Sequence, residues 1–339
     1  MYRLSVFVFV LVCAGAMDIS DDPWIFTTTT LPSDGRLVAS VGNGHLGTTL
    51  FSGDIFVNGL YNGVRGESHR ARIENWNNIK VSIRGEDLDS ETFSLNTRTG
   101  TFTQTLNTSE RSLEVVTMAH RFYTRSLITL IENHGDSSVD LDVVLEEGAP
   151  SEDIAWDVDI VDGGIRVLQG TTKQLEDPRY QQELTPVTVY ATYLSNTSFL
   201  HLSPGEVFKV VTTVDFSSAT AQMEFLEVMG DPDLIQSHVE AWEATWQEGE
   251  ISVEGNLQLS KVIHGAMYYI LSSLPPTRVT HLPSNPFAGL SPGGLANGAL
   301  NMDYQVQAYS MAEDGINRVC SRGNCIYREY VCVQAYYGK

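Results

Sequence analysis

Val207-Phe208-Lys209-Val210-Val211-Thr212-Thr213-Val214-Asp215-Phe216-Ser217-Ser218-Ala219-Thr220-Ala221-Gln222-Met223-Glu224-Phe225 is where the chain changes period. Val207 to Val214 is dominated by β-branched residues and reads as a strand. Beyond Ser217 the two-residue rhythm is lost. Ala219 to Met229 and Asp233 to Gln247 read as helices, with Ile235, Val239, Trp242 and Trp246 recurring at three- and four-residue steps.

Towards the N-terminus, everything back to Trp24 is a succession of short Val-, Ile-, Thr-, Phe- and Tyr-rich segments broken by Gly, Asn, Asp and Ser. Ile79, Val81 and Ile83 alternate on one side of a strand, as do Phe93 and Leu95 in the next. Leu113, Val115 and Thr117 face one way while Val116 and Met118 face the other. Val139 to Glu146 and Val187 to Leu194 supply further strands. So many antiparallel strands need two packed sheets to bury their inner faces, and a large β-sandwich over residues 17–216 is expected. Residues 217–255 then form a helical linker. After Gly255, a stripe of Leu259, Val262, Ile263, Ala266, Met267, Ile270, Leu271 and Leu274 predicts one long helix, stopped by Pro275-Pro276. So broad a stripe belongs to a helix packed among others.

Length and composition agree with a folded protein. The chain has 339 residues, 42% hydrophobic and 19% charged, which argues against disordered, collagenous and coiled-coil classes. Lys and Arg total 21 against 42 Asp and Glu, so the formal charge is 21 − 42 = −21, and a phosphate backbone would be repelled: no nucleic-acid partner is expected.

The first residues read as an address. Arg3, the apolar run Leu4 to Val12, and Ala14-Gly15-Ala16 fit a secretory signal cleaved after Ala16. A membrane anchor would need about 20 apolar residues, and Asp18, Asp21 and Asp22 interrupt too soon. The expected location is the secretory pathway, with an extracellular or lysosome-like lumen as destination and no membrane association after cleavage. Asn107-Thr108-Ser109 and Asn196-Thr197-Ser198 are N-glycosylation acceptors that suit it. Apart from Cys13, the cysteines Cys320, Cys325 and Cys332 all lie in the last stretch, an odd number that leaves one thiol without an intrachain partner.

Chemistry-bearing residues are sparse. His45, His69, His120, His134, His201, His238, His264 and His281 show no metal-ligand spacing, so packed or surface histidines are expected, with no metal and no cofactor. No Gly-x-Ser-x-Gly elbow exists. Trp242 and Trp246, four residues apart on an amphipathic helix, read as core rather than as sugar-stacking residues. Val41-Gly42-Asn43-Gly44-His45-Leu46-Gly47 reads as an ordinary hairpin turn. Ser291-Pro292-Gly293-Gly294 could offer backbone amides to an anion, but lacks the Lys-Ser/Thr ending of a phosphate loop. Asp303 follows this Gly-rich region and is the candidate catalytic acid; a solvated or capping aspartate is the competing reading.

Gly289-Leu290-Ser291-Pro292-Gly293-Gly294-Leu295-Ala296-Asn297-Gly298 with Asp303-Tyr304-Gln305 resembles the first barrel block of glycoside hydrolase family 65, and in particular its animal branch. Val41 to Gly47, Val57-Asn58-Gly59-Leu60-Tyr61-Asn62-Gly63, His69-Arg70-Ala71-Arg72-Ile73 and Val253-Glu254-Gly255-Asn256 agree with it. The resemblance spans about Asp22 to Gln305. It implies a super-β-sandwich, linker helices and the start of an (α/α)6 barrel at 256–305. It also implies an inverting glycosidase that releases glucose from the disaccharide on collagen hydroxylysine or from related glucosides. From Val306 the pattern departs: residues 306–339 carry neither the Phe-Trp-Asp segment of the family nor a glutamate matching its general acid, and Glu313, Asp314 and Glu329 inherit no role. The expectation is therefore a truncated or mispredicted product that is inactive by itself. Two other functions stand beside it: a secreted, non-catalytic β-sandwich module that binds carbohydrate or protein, and a disaccharide phosphorylase of the same family.

Overall fold

A computed structural model describes residues 19–64, 68–146, 148–175, 178, 182–195, 197–276 and 290. The signal segment with Ala16, the acceptor Asn196, Asp303 and the tail 306–339 lie outside these residues. The described chain is mainly β, with eighteen strands and three α-helices.

In chain order the strands begin with β1 (Ile25–Thr28), β2 (Ser40–Gly42), β3 (Leu46–Thr49), β4 (Asp54–Val57), β5 (Tyr61–Asn62) and β6 (His69–Arg70). Next come β7 (Ile73–Glu74), β8 (Ile79–Ile83), β9 (Ser90–Asn96), β10 (Thr101–Asn107), β11 (Ser112–Ala119) and β12 (Ser126–Asn133). The last are β13 (Val139–Leu145), β14 (Ile154–Asp162), β15 (Ile165–Thr172), β16 (Pro186–Thr192), β17 (Thr197–Leu202) and β18 (Val207–Asp215). Helices α1 (Ser218–Gly230), α2 (Leu234–Glu248) and α3 (Leu257–Ser272) follow.

Nine strands form one antiparallel sheet in the order β1-β9-β10-β11-β12-β18-β16-β15-β14. The layer facing it is not the single second sheet expected from sequence. It is divided among a three-stranded sheet (β17-β13-β8), a four-stranded sheet (β2-β3-β4-β7) and the β5–β6 pair. Strands of two to four residues bridged by Asn- and Gly-rich turns are too short to extend one continuous ladder. Together the layers enclose one apolar core that includes Val41, Leu46, Ile55, Val81, Leu141, Leu113, Leu127 and Val210.

The two faces of β11 enter two different cores. Leu113 and Val115 point into the sandwich, whereas Val116 and Met118 join Ile128, Leu130, Val211, Phe225 and Val228 on the opposite side. Helix α1 therefore covers the outside of the central strands, which is why β12 and β18 read as continuous apolar runs rather than as alternating ones. Its start is capped by Ser217, whose Oγ accepts from the Thr220 amide at 3.4 Å.

Beneath α1 lies an ion cluster. Arg125 Nη1 meets Glu224 Oε2 at 3.1 Å, and its Nε pairs with Asp215; Ser126 Oγ donates to Glu224 Oε1 at 2.9 Å. Burial pushes the Glu224 carboxyl up, against the pull of Ser126 and Arg125.

Helices α2 and α3 differ from their sequence patterns in the face they bury. In α2 the buried column is Leu234, His238, Trp242 and Trp246, with Ile235 38% exposed where it was expected to be buried. In α3 the buried residues include Lys261, His264, Gly265 and Tyr268, while Leu259 of the apolar stripe is exposed. The N-terminal segment supplies the reason: Lys261 Nζ donates to the carbonyls of Ser20 (2.5 Å) and Ile25 (2.8 Å). His264 Nδ1 bonds the Pro23 carbonyl at 3.0 Å while its ring stacks on Trp24 at 3.6 Å. These bonds offset much of the cost of burying the Lys261 and His264 nitrogens that make them. Helix α3 begins at Asn256, whose Oδ1 accepts from the Leu259 amide at 3.0 Å, and ends before Pro275-Pro276 as expected.

Glu224→Ala should lower the free energy of unfolding by roughly 1 to 3 kcal/mol, because it leaves Ser126 and one side of the Arg125 guanidinium without their acceptor while Asp215 still pairs with Arg125. Urea denaturation followed by far-UV circular dichroism measures this.

Candidate functional site

Of the stretches that carry the family resemblance, those at 41–47, 57–63 and 69–73 pack against one another, and the turn at Gly44 also meets the chain just past α3. The turn between β2 and β3 comes first. Asn43 Oδ1 accepts from the amides of His45 (2.9 Å) and Leu46 (2.8 Å), while its Nδ2 donates to the carbonyls of His120 (2.8 Å) and Thr124 (2.9 Å) in the β11–β12 turn. This is the hairpin turn expected from sequence, but it is wholly buried. Gly44 adopts φ +82°, and a Cβ there would fall on the Leu274–Pro275 peptide just past α3. Only glycine combines that backbone with that approach.

The stretch from Val57 lies directly against this turn. Asn58 donates its amide to the His45 carbonyl at 2.7 Å and its Nδ2 to the Gly44 carbonyl at 3.1 Å. The Ala71 amide donates to the Leu60 carbonyl at 3.0 Å, which joins the strand stretch 69–73 to the same group. From the other side, the Leu290 amide donates to the Ser273 carbonyl at 2.7 Å and the Leu290 side chain is buried.

A buried aspartate holds the β5–β6 hairpin. Asp153, from the segment before β14, accepts from Asn62 Nδ2 (3.0 Å) and bonds His69 Nε2 (2.8 Å) at one oxygen, and accepts from the Arg72 amide (2.9 Å) at the other. Burial works against its charge, yet the Arg72 amide, His69 and Asn62 together hold the carboxyl below the usual aspartate range. Asn62 Oδ1 in turn accepts from the Gln174 amide at 2.9 Å. The carboxylate thereby fixes the His69 imidazole beside the β5–β6 pair.

Arg121 connects the β11–β12 turn to the helices. Its Nη1 donates to the Leu271 carbonyl (3.1 Å) and, more weakly, to that of Leu274 (3.4 Å); its Nε donates to Thr245 Oγ1 (3.2 Å); and its guanidinium lies 4.3 Å over the Trp242 ring. The arginine thus caps the C-terminal carbonyls of α3, the negative end of that helix.

The sequence-stretch candidates sort clearly against this geometry. His45, His120, His238 and His264 are buried packing residues, and His134 and His201 pair with surface carboxylates, as expected from their spacing. The fully buried His45 ring is pulled down to about 4 by burial and then by Arg125. Trp242 and Trp246 are core, and Trp246 Nε1 donates to the Arg98 carbonyl at 2.7 Å. Asn107 ends β10 half-buried, its Nδ2 donating to Ser90 Oγ at 3.2 Å. Asp303 and the Gly-rich loop, apart from Leu290, fall outside the described residues, as do His281 and the tail cysteines. Among the described residues no cluster of His, Cys, Asp or Glu could hold a metal ion. Sequence reasoning passed over Asp153 and Arg121, since a single acid or base in a loop carries no periodic signal.

The chain is 33% identical over 300 residues to a chicken protein named protein-glucosylgalactosylhydroxylysine glucosidase, a match covering 85% of this chain and 41% of the relative. The mouse protein of the same name is 32% identical over 292 residues, covering 82% and 41%. The chain thus spans about two fifths of the length of these curated relatives. Among solved structures, a candidate kojibiose phosphorylase from the human microbiome superposes with a TM-score of 0.55 at 13% identity, over 75% of this chain and 42% of that one, a likeness of fold. No family model matches the chain.

Asp153→Ala should destabilise the protein by about 1 to 3 kcal/mol, because it leaves Asn62, His69 and the Arg72 amide without their acceptor. Amide exchange at Tyr61–Asn62 and His69–Arg70 should speed up first, and mass spectrometry of exchanged peptides resolves it.

Proposed function

We propose that the chain is the N-terminal portion of a glycoside hydrolase family 65 glucosidase. Its reaction is removal of glucose, with inversion, from the glucosylgalactose disaccharide of collagen hydroxylysine or related glucosides. The observation that carries this reading is the packing of stretches at 41–47, 57–63 and 69–73 against one another, with Gly44 against the chain just past α3. Those stretches bear the resemblance, and the matches to the named relatives cover most of this chain. In this reading residues 17–216 are the sandwich, 217–255 the linker with α1 and α2, and α3 the first helix of an (α/α)6 barrel.

Inverting hydrolysis needs one carboxylic acid to protonate the leaving oxygen and a second carboxylate to activate water on the opposite face of the sugar. Asp303 is the acid of this chain assigned to that centre. Leu290, the described residue of the Gly-rich stretch that precedes it in sequence, is tied by its amide to Ser273 just past α3. Water is the only co-reactant, so neither metal nor cofactor is needed.

The test is glucose release from glucosylgalactosylhydroxylysine, by the chain as given and by a form continued past Gln305 with the downstream genomic sequence. Release by the continued form, and its loss by at least a hundredfold in Asp303→Asn, is the expected result. No release by either form would overturn the reading. Nuclear magnetic resonance of the first glucose anomer formed checks inversion.

The same reading places the chain in the secretory pathway, on the strength of Arg3, the apolar run to Val12 and the small residues to Ala16. No helix among the described residues is long and apolar enough to cross a membrane. Expression in a eukaryotic host should yield an N-glycosidase-sensitive band, and Asn107→Gln and Asn196→Gln should each remove one step of the mobility shift.

A further inference from the structure

Two histidines that play no part in the reading above meet where the sandwich touches α2. His120, in the turn after β11, accepts at Nδ1 from the backbone amides of Phe122 (3.2 Å) and Tyr123 (3.0 Å). Its Nε2 then carries the proton and donates to the Leu234 carbonyl in the first turn of α2, at 2.9 Å. One turn along α2, His238 accepts at Nδ1 from the Arg121 amide at 3.0 Å. The ring centroids are 5.1 Å apart and both residues are completely buried.

We propose that His120 and His238 form an acid-released clasp between the sandwich and α2, closed only while both imidazoles are neutral. Each Nδ1 is held as an acceptor by backbone N–H groups that cannot turn away. A proton added there abolishes those bonds and sets N–H against N–H. A second proton would place two buried cations about one ring's width apart, beside the Arg121 guanidinium.

The surroundings do little to compensate. Facing His120 are Asp231, after α1, Tyr123 and His238; the Tyr123 hydroxyl is already engaged with Asp231 Oδ2 at 3.0 Å. Facing His238 are His120 and Arg121, both of which oppose its protonation, and the carbonyls of Thr99 and Gly100 in the β9–β10 turn. Burial pulls His120 down to about 4, only partly offset by the Leu234 carbonyl and Asp231, and drives His238 well below its ordinary value.

The sign follows from linkage. An imidazole released to water titrates near 6.5, so the open form binds more protons than the closed one as pH falls. The clasp is at full strength above about 6.5 and is lost progressively as pH drops towards 4, the opening constant rising up to about tenfold per pH unit for each imidazole. Opening frees α2, whose Trp242 and Trp246 leave the core, and through Arg121 it loosens the end of α3.

Amide exchange of α2 in the whole chain, corrected for intrinsic rates, tests this between pH 7.5 and 4.5, with near-ultraviolet circular dichroism reporting the tryptophans. Wild type should lose protection in α2 by at least tenfold per pH unit below pH 6. The double variant His120→Asn, His238→Asn keeps an acceptor oxygen near each Nδ1 but cannot take up a proton, and its protection should be flat with pH. Equal protection of wild-type α2 at pH 7 and 4.5, or a double variant that follows wild type, would overturn the clasp. If the variant does not fold, imidazole resonances of wild type decide: titration midpoints below 6 for both histidines support it, and a midpoint above 6 for either refutes it.

Discussion

The guanidinium of Arg121 is the point on which the two halves of the described fold depend. It extends from the β11–β12 turn to the Thr245 hydroxyl, the Trp242 face and the last carbonyls of α3. A planar cation with five donors can satisfy a helix end and a neighbouring hydroxyl while stacking on an aromatic ring, which a lysine cannot do. Because the group is buried, removing any partner would leave a desolvated charge, so the sandwich and the helices are held in one arrangement.

Around that contact the packing is unusually polar. Asn43 spends its whole side-chain amide on turn backbones, Gly44 admits the chain just past α3, His120 joins two amides to the Leu234 carbonyl, and His238 accepts from the Arg121 amide. Turns have unpaired backbone groups, and where turns from different strands are buried together those groups must find side-chain partners. The same requirement explains Asp153, which collects donors from the β5–β6 hairpin where strands of two residues have little ladder of their own. Buried amides and imidazoles also impose specificity, since each accepts one geometry and an apolar replacement would not.

These features give the candidate functional site its character. It is a braced platform of turns, in which the stretches at 41–47, 57–63 and 69–73 support one another and meet the end of α3. Function in such an arrangement belongs to what the platform positions, and loops held on a rigid scaffold are where binding and catalytic groups usually sit.

The strands and helices were legible in the sequence because their signal is local. Ile79, Val81 and Ile83 alternate by the pleat, the rhythm breaks at Ser217 where α1 begins, and Pro275-Pro276 ends α3 for want of amide donors. What only tertiary structure decided is which partner each face meets. Ile235 and Leu259 follow helical periodicity yet stay exposed, while His238, Lys261 and His264 are buried, because a backbone amide from the β11–β12 turn meets the first and carbonyls of the N-terminal segment meet the other two. Hydropathy along a chain ranks side chains by their transfer from water, and it contains no term for a hydrogen-bond partner more than a hundred residues away. For that reason the sandwich-then-helix plan could be read from residues alone, whereas Arg121, Asp153 and the His120–His238 pair emerged only when the chain was folded.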